Sequence, residues 1–134
     1  MISDVTRMGQ WSPETTSCKW LGKAGGPAIG ARFRGSNVNG KFKWGTTCTV
    51  TDCEAGSTFA FESKSLGLRI SRWEYRFEAA GNGCRVTESW KDQRGMLVKI
   101  FSPKVSGVKD RFVHNERTMR QTLDNLAHAA EATD

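Results

Sequence analysis

The sequence predicts an α+β fold in which an antiparallel sheet is followed by one long helix, and two observations carry the prediction. Between Ser17 and Lys91 the chain alternates apolar and polar residues in about six segments joined by short turns, with no strand–helix–strand alternation. From Asp110 to Glu131 the period changes: Phe112, Met119, Leu123, Leu126 and Ala130 fall on one stripe of an α-helix. An amphipathic helix of that length must bury its stripe, and the inner face of the sheet is the partner available. Large side chains are worth about 1.5–3 kcal/mol each when buried, so the pairing is strongly favoured.

Taken in order, Met1 to Trp11 reads as a short helical turn capped by Ser3 or Asp4 and ended by Gly9, with a second helix start possible at Pro13-Glu14. Ser17 to Leu21 is a short strand and Lys23 to Pro27 a loop. In the strand Ala28 to Gly35, Phe33 alternates with Arg32 and Arg34, which either turns the two arginines to the outer face or, with the parity reversed, makes them the anchor for an anionic ligand group. Ser36 to Gly40 reads as a turn. Lys41 to Asp52 then carries Phe42, Trp44, Thr46, Cys48 and Val50 on one side.

Thr58 to Lys64 supplies Phe59 and Phe61, and the pattern breaks around Gly67. Arg69 to Ala79 sets Ser71, Trp73, Tyr75 and Phe77 against a charged opposite face. A hairpin at Ala80 to Gly83 leads into Cys84 to Lys91, where Val86, Glu88 and Trp90 share a face. Gly95 to Ile100 is an apolar run that suits strand or helix, and Ser102-Pro103 punctuates it. Its place between sheet and helix makes it either a lid over an internal site or a plain connector.

SDVTRMGQWSPE, followed by GPAIGARFRG, FKW and GCRVTESW, resembles the polyketide cyclase/dehydrase branch of the SRPBCC superfamily over essentially the whole chain. That superfamily also includes START lipid-transfer domains and pollen-allergen-like ligand carriers. The resemblance implies a helix-grip domain: a curved antiparallel sheet wrapped round the C-terminal helix, with short N-terminal helices and a ligand cavity between helix and sheet. It also implies a first strand, between the second and last strands of the sheet, that is missing here. We expect either that Met1 is an internal methionine of a longer protein, or that the short form is real and fills the gap by dimerising or rearranging its sheet.

The cavity implied by the resemblance would be lined by Phe33, Trp44, Phe59 and Phe61 from the earlier strands, and by Trp73, Tyr75, Phe77 and Trp90 from the later ones. Met119 and Leu123 would close it from the helix. Such a lining suits a flat hydrophobic, lipid-like or polyketide-like ligand; the alternative is a solid core of the same residues. Glu88 is the informative polar residue: in a strand without a bulge, parity turns its carboxylate inward, where an unpaired charge is costly, whereas a bulge would turn it to solvent. It is either a salt-bridge member, with Arg94, Arg111 or Arg117 as partner, or a general acid/base assisted by the Tyr75 hydroxyl in a cyclisation or dehydration.

Other chemistries find little support. Cys18, Cys48, Cys53 and Cys84 form no C-x-x-C pair and are expected to act as small hydrophobes, so neither a metal site nor a disulfide framework is expected. His114 and His128 have no triad spacing, the glycines form no nucleotide-binding loop, and no cofactor is expected. The formal net charge of +6 is spread without a basic run, so nucleic-acid or anionic-membrane binding ranks last among the functions considered. With 134 residues, no long apolar run and no signal-like N-terminus, the expectation is one cytoplasmic domain that does not insert in a membrane.

Overall fold

In a computed structural model, which describes residues 1–132, six strands form one antiparallel sheet in sequence order: β1 (Thr15–Trp20), β2 (Arg32–Asn39), β3 (Phe42–Glu54), β4 (Thr58–Ser65), β5 (Leu68–Ala80) and β6 (Gly83–Asp92). Helices α1 (Met96–Ser106) and α2 (Arg111–Glu131) follow. Every strand pairs with its predecessor through a local hairpin or loop, as the short turns of the sequence require. Irregularities in register between Thr15 and Ser17, Val50 and Asp52, and Ser63 and Lys64 bend the sheet around α2, giving the helix-grip arrangement.

The N-terminus forms a single 3-10 helix, Val5–Gln10, whose first turn is held by the Asp4 carboxylate accepting from the Thr6 amide. After Pro13 the chain enters β1 directly, so the second short helix does not form. The Thr15 amide donates to the Ser12 hydroxyl, which tightens the corner ahead of the strand.

Other boundaries differ from expectation as well: Ala28 to Ala31 forms a turn ahead of β2, closed by the Ala31 amide donating to the Ala28 carbonyl at 3.0 Å. Ser36 to Asn39 continues β2, because Asn37 points inward and is satisfied there: it accepts from the Thr15 hydroxyl at 2.8 Å and donates to the Thr46 hydroxyl at 3.3 Å. The ambiguous run after Gly95 is helical, and α1 continues through Pro103 to a left-handed Gly107 whose amide caps the Pro103 carbonyl.

The core occupies one end of the grip. Val5, Met8 and Trp11 of the N-terminal segment pack with Phe33, Val50 and Phe59 of the sheet and with Leu126 near the end of α2. Asn125 fixes that junction by donating to the Trp11 carbonyl at 2.9 Å. At its start, α2 is capped by the Asp110 carboxylate accepting from the Val113 amide.

The stripe facing the sheet is rotated from the one the apolar period indicates. Phe112 is 66% exposed, and the buried residues of α2 are Asn115, Thr122 and Leu126. Polar residues therefore face the middle of the sheet, with Thr118 and Thr122 donating to the Asn115 and Thr118 carbonyls of their own helix at 3.1 and 2.8 Å.

Candidate functional site

Beneath the first half of α2 lies a cavity of about 520 Å³, a size suited to a small organic ligand. Its floor is the inner face of the sheet: Phe33, Trp44, Phe61, Trp73, Tyr75 and Trp90 all reach it. Its roof is Arg111, Asn115, Thr118, Met119 and Thr122, spaced four, three, one and three residues apart along α2. Leu97, Val98 and Phe101 of α1 and Leu66 and Leu68 of the β4–β5 turn flank it on the remaining side. An aromatic floor faces a hydroxyl- and amide-bearing roof.

Three of the residues expected in the lining are elsewhere. Phe59 is buried in the core at the closed end, Phe77 packs against that core, and Leu123 is half-buried on α2 away from the cavity. The phase of alternation correctly turned Phe59 and Phe77 inward, but it contains no information about which end of the sheet the N-terminal helix fills. Arg32 and Arg34 are exposed on the outer face, where Arg34 donates to the Thr47 hydroxyl at 3.0 Å.

Glu88 and Tyr75 are direct cross-strand partners of β6 and β5, and both side chains rise from the inner face. The Tyr75 hydroxyl donates to Glu88 Oε1 at 2.7 Å. Glu88 Oε2 is buried with no hydrogen-bond partner among the described residues. Burial pushes the carboxyl up to about 7, against the smaller opposing effect of the Tyr75 hydrogen bond. The Tyr75 phenol is raised well above its ordinary value, by burial first and by the neighbouring carboxylate second.

The three arginines considered as partners of Glu88 are all engaged elsewhere. Arg94 makes a two-pronged pair with Asp92, at 2.9 and 2.8 Å, holding that carboxyl below its usual value. Arg111 contacts both oxygens of Glu14 at 3.0 Å, and Arg117 reaches His114 Nδ1 at 3.3 Å. His114 Nε2 also meets Glu14, at 2.7 Å, so one carboxylate ahead of β1 ties down the first turn of α2.

Polar lining residues are what the sequence reading missed. Ser63 and Ser71 share a 2.6 Å hydrogen bond, and the Trp73 indole donates to Ser71 at 2.9 Å, fixing one aromatic plane of the floor. Asn115, Thr118 and Thr122 recur at helical spacing and are weak helix formers, a pattern that could have marked the roof. Cys18 and Cys48 are buried, and burial pushes their thiols up to about 11 and about 12, away from the reactive thiolate form. Among the described residues no three His, Cys, Asp or Glu side chains converge to hold a metal ion.

A curved antiparallel sheet gripping a C-terminal helix over an aromatic cavity defines the class: an α+β helix-grip domain. Residues 1–131 match the sequence profile of the family described as polyketide cyclase / dehydrase and lipid transport, and the chain belongs to that family. Among solved structures it resembles the solution NMR structure of a Polyketide_cyc-like protein from Corynebacterium glutamicum, at 28% identity and a TM-score of 0.50, covering 97% of this chain and 74% of that chain. No curated protein matches.

Proposed function

We propose that the chain binds a hydrophobic small molecule, lipid-like, aromatic or polyketide-like, in the cavity between the sheet and α2. The observation that carries this reading is the cavity itself: six aromatic side chains face space that the polar underside of α2 cannot fill. A flat ligand stacks on Trp73 and Trp90, whose ring centroids are 6.3 Å apart, and presents its polar groups to Asn115 and Thr118. The four free cysteines suit a reducing cytoplasmic setting. Native mass spectrometry of protein purified from cells, with melting shifts against fatty acids, flavonoids and polycyclic aromatics, tests it. A chain that carries no hydrophobe and is shifted by none of the three classes would overturn the reading.

A second reading is favoured by Glu88 Oε2, a buried acceptor with nothing to accept from. A carboxyl held near 7 is matched to proton transfer at neutral pH, as acid in a dehydration or as base in an aldol-type cyclisation. Tyr75 would then orient the carboxyl through the 2.7 Å hydrogen bond it donates to Oε1, leaving Oε2 to meet the substrate. With a substrate in hand, Glu88→Gln should bind normally and lose turnover; undiminished turnover would remove Glu88 from the mechanism.

A further inference from the structure

Helix α1 buries one of its eleven residues, Ser106. It is held chiefly at its ends: Arg94 Nη1 reaches the Ser102 hydroxyl at 3.3 Å, and Asn39 donates to the Ser106 carbonyl at 2.9 Å, where Gly107 also lies against the Phe42 ring. Between these ties Met96, Leu97, Ile100, Phe101 and Val105 are each more than half exposed. Leu66, at the tip of the β4–β5 hairpin on the same side of the cavity, is 97% exposed, and Leu68 follows it at 55%. Seven of the eleven exposed large hydrophobics among the described residues thus gather on α1 and this one turn. A concentration of that kind marks an interaction surface.

Leu66 adds a second observation. The turn is a two-residue hairpin, Leu66-Gly67, with φ of 52° and 77°. Both angles are positive, as a type I′ turn demands, and asparagine, aspartate or glycine is the residue suited to the first position. Leu66 is the one non-glycine residue among those described with positive φ. A left-handed leucine costs about 1–2 kcal/mol and here gains no packing inside the protein. The strain holds an apolar side chain outward beside the cavity.

The charge around this surface has a single sign. From Gln93 to Lys109 there is no acidic residue, while Lys99, Lys104 and Lys109 are exposed; from Ser63 to Trp73 there is again none, while Lys64 and Arg69 are exposed. The Lys104 ammonium lies over the Phe101 ring at 5.8 Å, interleaving charge with apolar surface. A second copy of this chain, brought face to face, would meet the same lysines and be repelled. A bilayer with anionic headgroups accepts both components, the leucine and phenylalanine in its interface and the lysines at its phosphates.

We infer that the exposed face of α1 and the Leu66-Gly67 turn dock on an anionic phospholipid bilayer, bringing the cavity against the lipid phase so that its ligand passes between the two. The surface stands on its own observations; the passage of ligand rests on the proposed binding function. Docking of this kind is peripheral, because no helix among the described residues is long and apolar enough to cross a membrane.

The test is flotation of the intact chain with phosphatidylcholine vesicles, with and without phosphatidylglycerol, at low and high salt. Binding should require phosphatidylglycerol and weaken with salt. The variant carrying Met96→Asp and Ile100→Asp, positions exposed and outside the cavity lining, should lose roughly tenfold or more of vesicle affinity. Uptake of anilinonaphthalene sulfonate by this doubly substituted variant, whose outer face no longer attracts an anionic apolar dye, measured without vesicles, separates the two claims. Dye uptake with no flotation overturns the docking surface and leaves the cavity reading standing. Flotation with no dye uptake upholds the surface while the cavity reading fails. A dimer in solution that the paired aspartates dissolve, with no flotation, reassigns the patch to a contact between copies and overturns the inference.

Discussion

Replacing Glu88 with glutamine removes a titration while keeping the shape, so it isolates what the buried carboxyl costs. The amide oxygen still accepts from Tyr75, and its other end still faces the cavity. In the wild type the carboxyl moves from an ordinary 4.5 to about 7 on folding. The folded chain therefore holds a proton that the unfolded chain has released, and stability falls as pH rises from about 4.5 to about 7, then levels off. Between pH 5 and pH 8 linkage gives a loss of about 2.5 kcal/mol, and partial solvation reduces this to roughly 2 kcal/mol. Glu88→Gln does not titrate. Urea unfolding of both proteins at the two pH values cancels every other group, including the low Asp92, and the glutamine variant should gain roughly 2 kcal/mol on the wild type across the window. A difference between the two proteins that stays constant with pH would refute the reasoning, because it would mean that Glu88 is as well solvated folded as unfolded.

Three other perturbations probe different parts of the molecule. Tyr75→Phe leaves both Glu88 oxygens without a protein partner; it should cost about 1–3 kcal/mol and push the Glu88 carboxyl higher still, as read from a carboxyl-carbon NMR titration. Glu14→Ala strips Arg111 and His114 of their common partner on a junction whose side chains are 12–19% exposed, so a loss of about 2 kcal/mol in chemical denaturation is expected. Leu66→Asn gives the β4–β5 turn a residue suited to positive φ and should raise the melting temperature, by up to about 1 kcal/mol in stability, while lowering vesicle affinity. An unchanged or lower melting temperature would mean that Leu66 is not strained.

Strand order and the alternating faces of β2 to β6 were legible because alternation has a period of two and the turns are short. That is why Phe33, Trp44, Phe61, Trp73, Tyr75 and Trp90 could be placed on the floor together, with Glu88 beside Tyr75. The helix was legible as a helix but not in its rotation. Apolar periodicity assumes that the buried stripe is apolar, whereas a helix roofing a cavity can turn Asn115, Thr118 and Thr122 inward and leave Phe112 against the edge of Trp90, 4.9 Å from ring to ring. The course of β2 through Ser36 to Asn39 was hidden for a related reason: Asn37 is satisfied by hydroxyls on two neighbouring strands, which local propensity does not register. The run after Gly95 gave no clear periodic signal because α1 turns Leu97, Val98 and Phe101 to the cavity while Met96 and Ile100 stay outside it, so apolar residues lie on both of its faces.

The indoles of the floor give the domain an optical consequence. Of its five tryptophans, Trp44, Trp73 and Trp90 border the cavity, Trp11 is sealed in the core, and Trp20 stacks edge-on against Phe33. The Trp73–Trp90 pair stands next along the inner face to the Tyr75–Glu88 pair, whose carboxyl is pushed up to about 7. The protein is thereby its own fluorophore: an occupant of the cavity quenches or shifts the emission of three of its indoles, Trp11 supplies a steady background, and a neutral-pH inflection in that emission reports the Glu88 proton without any label.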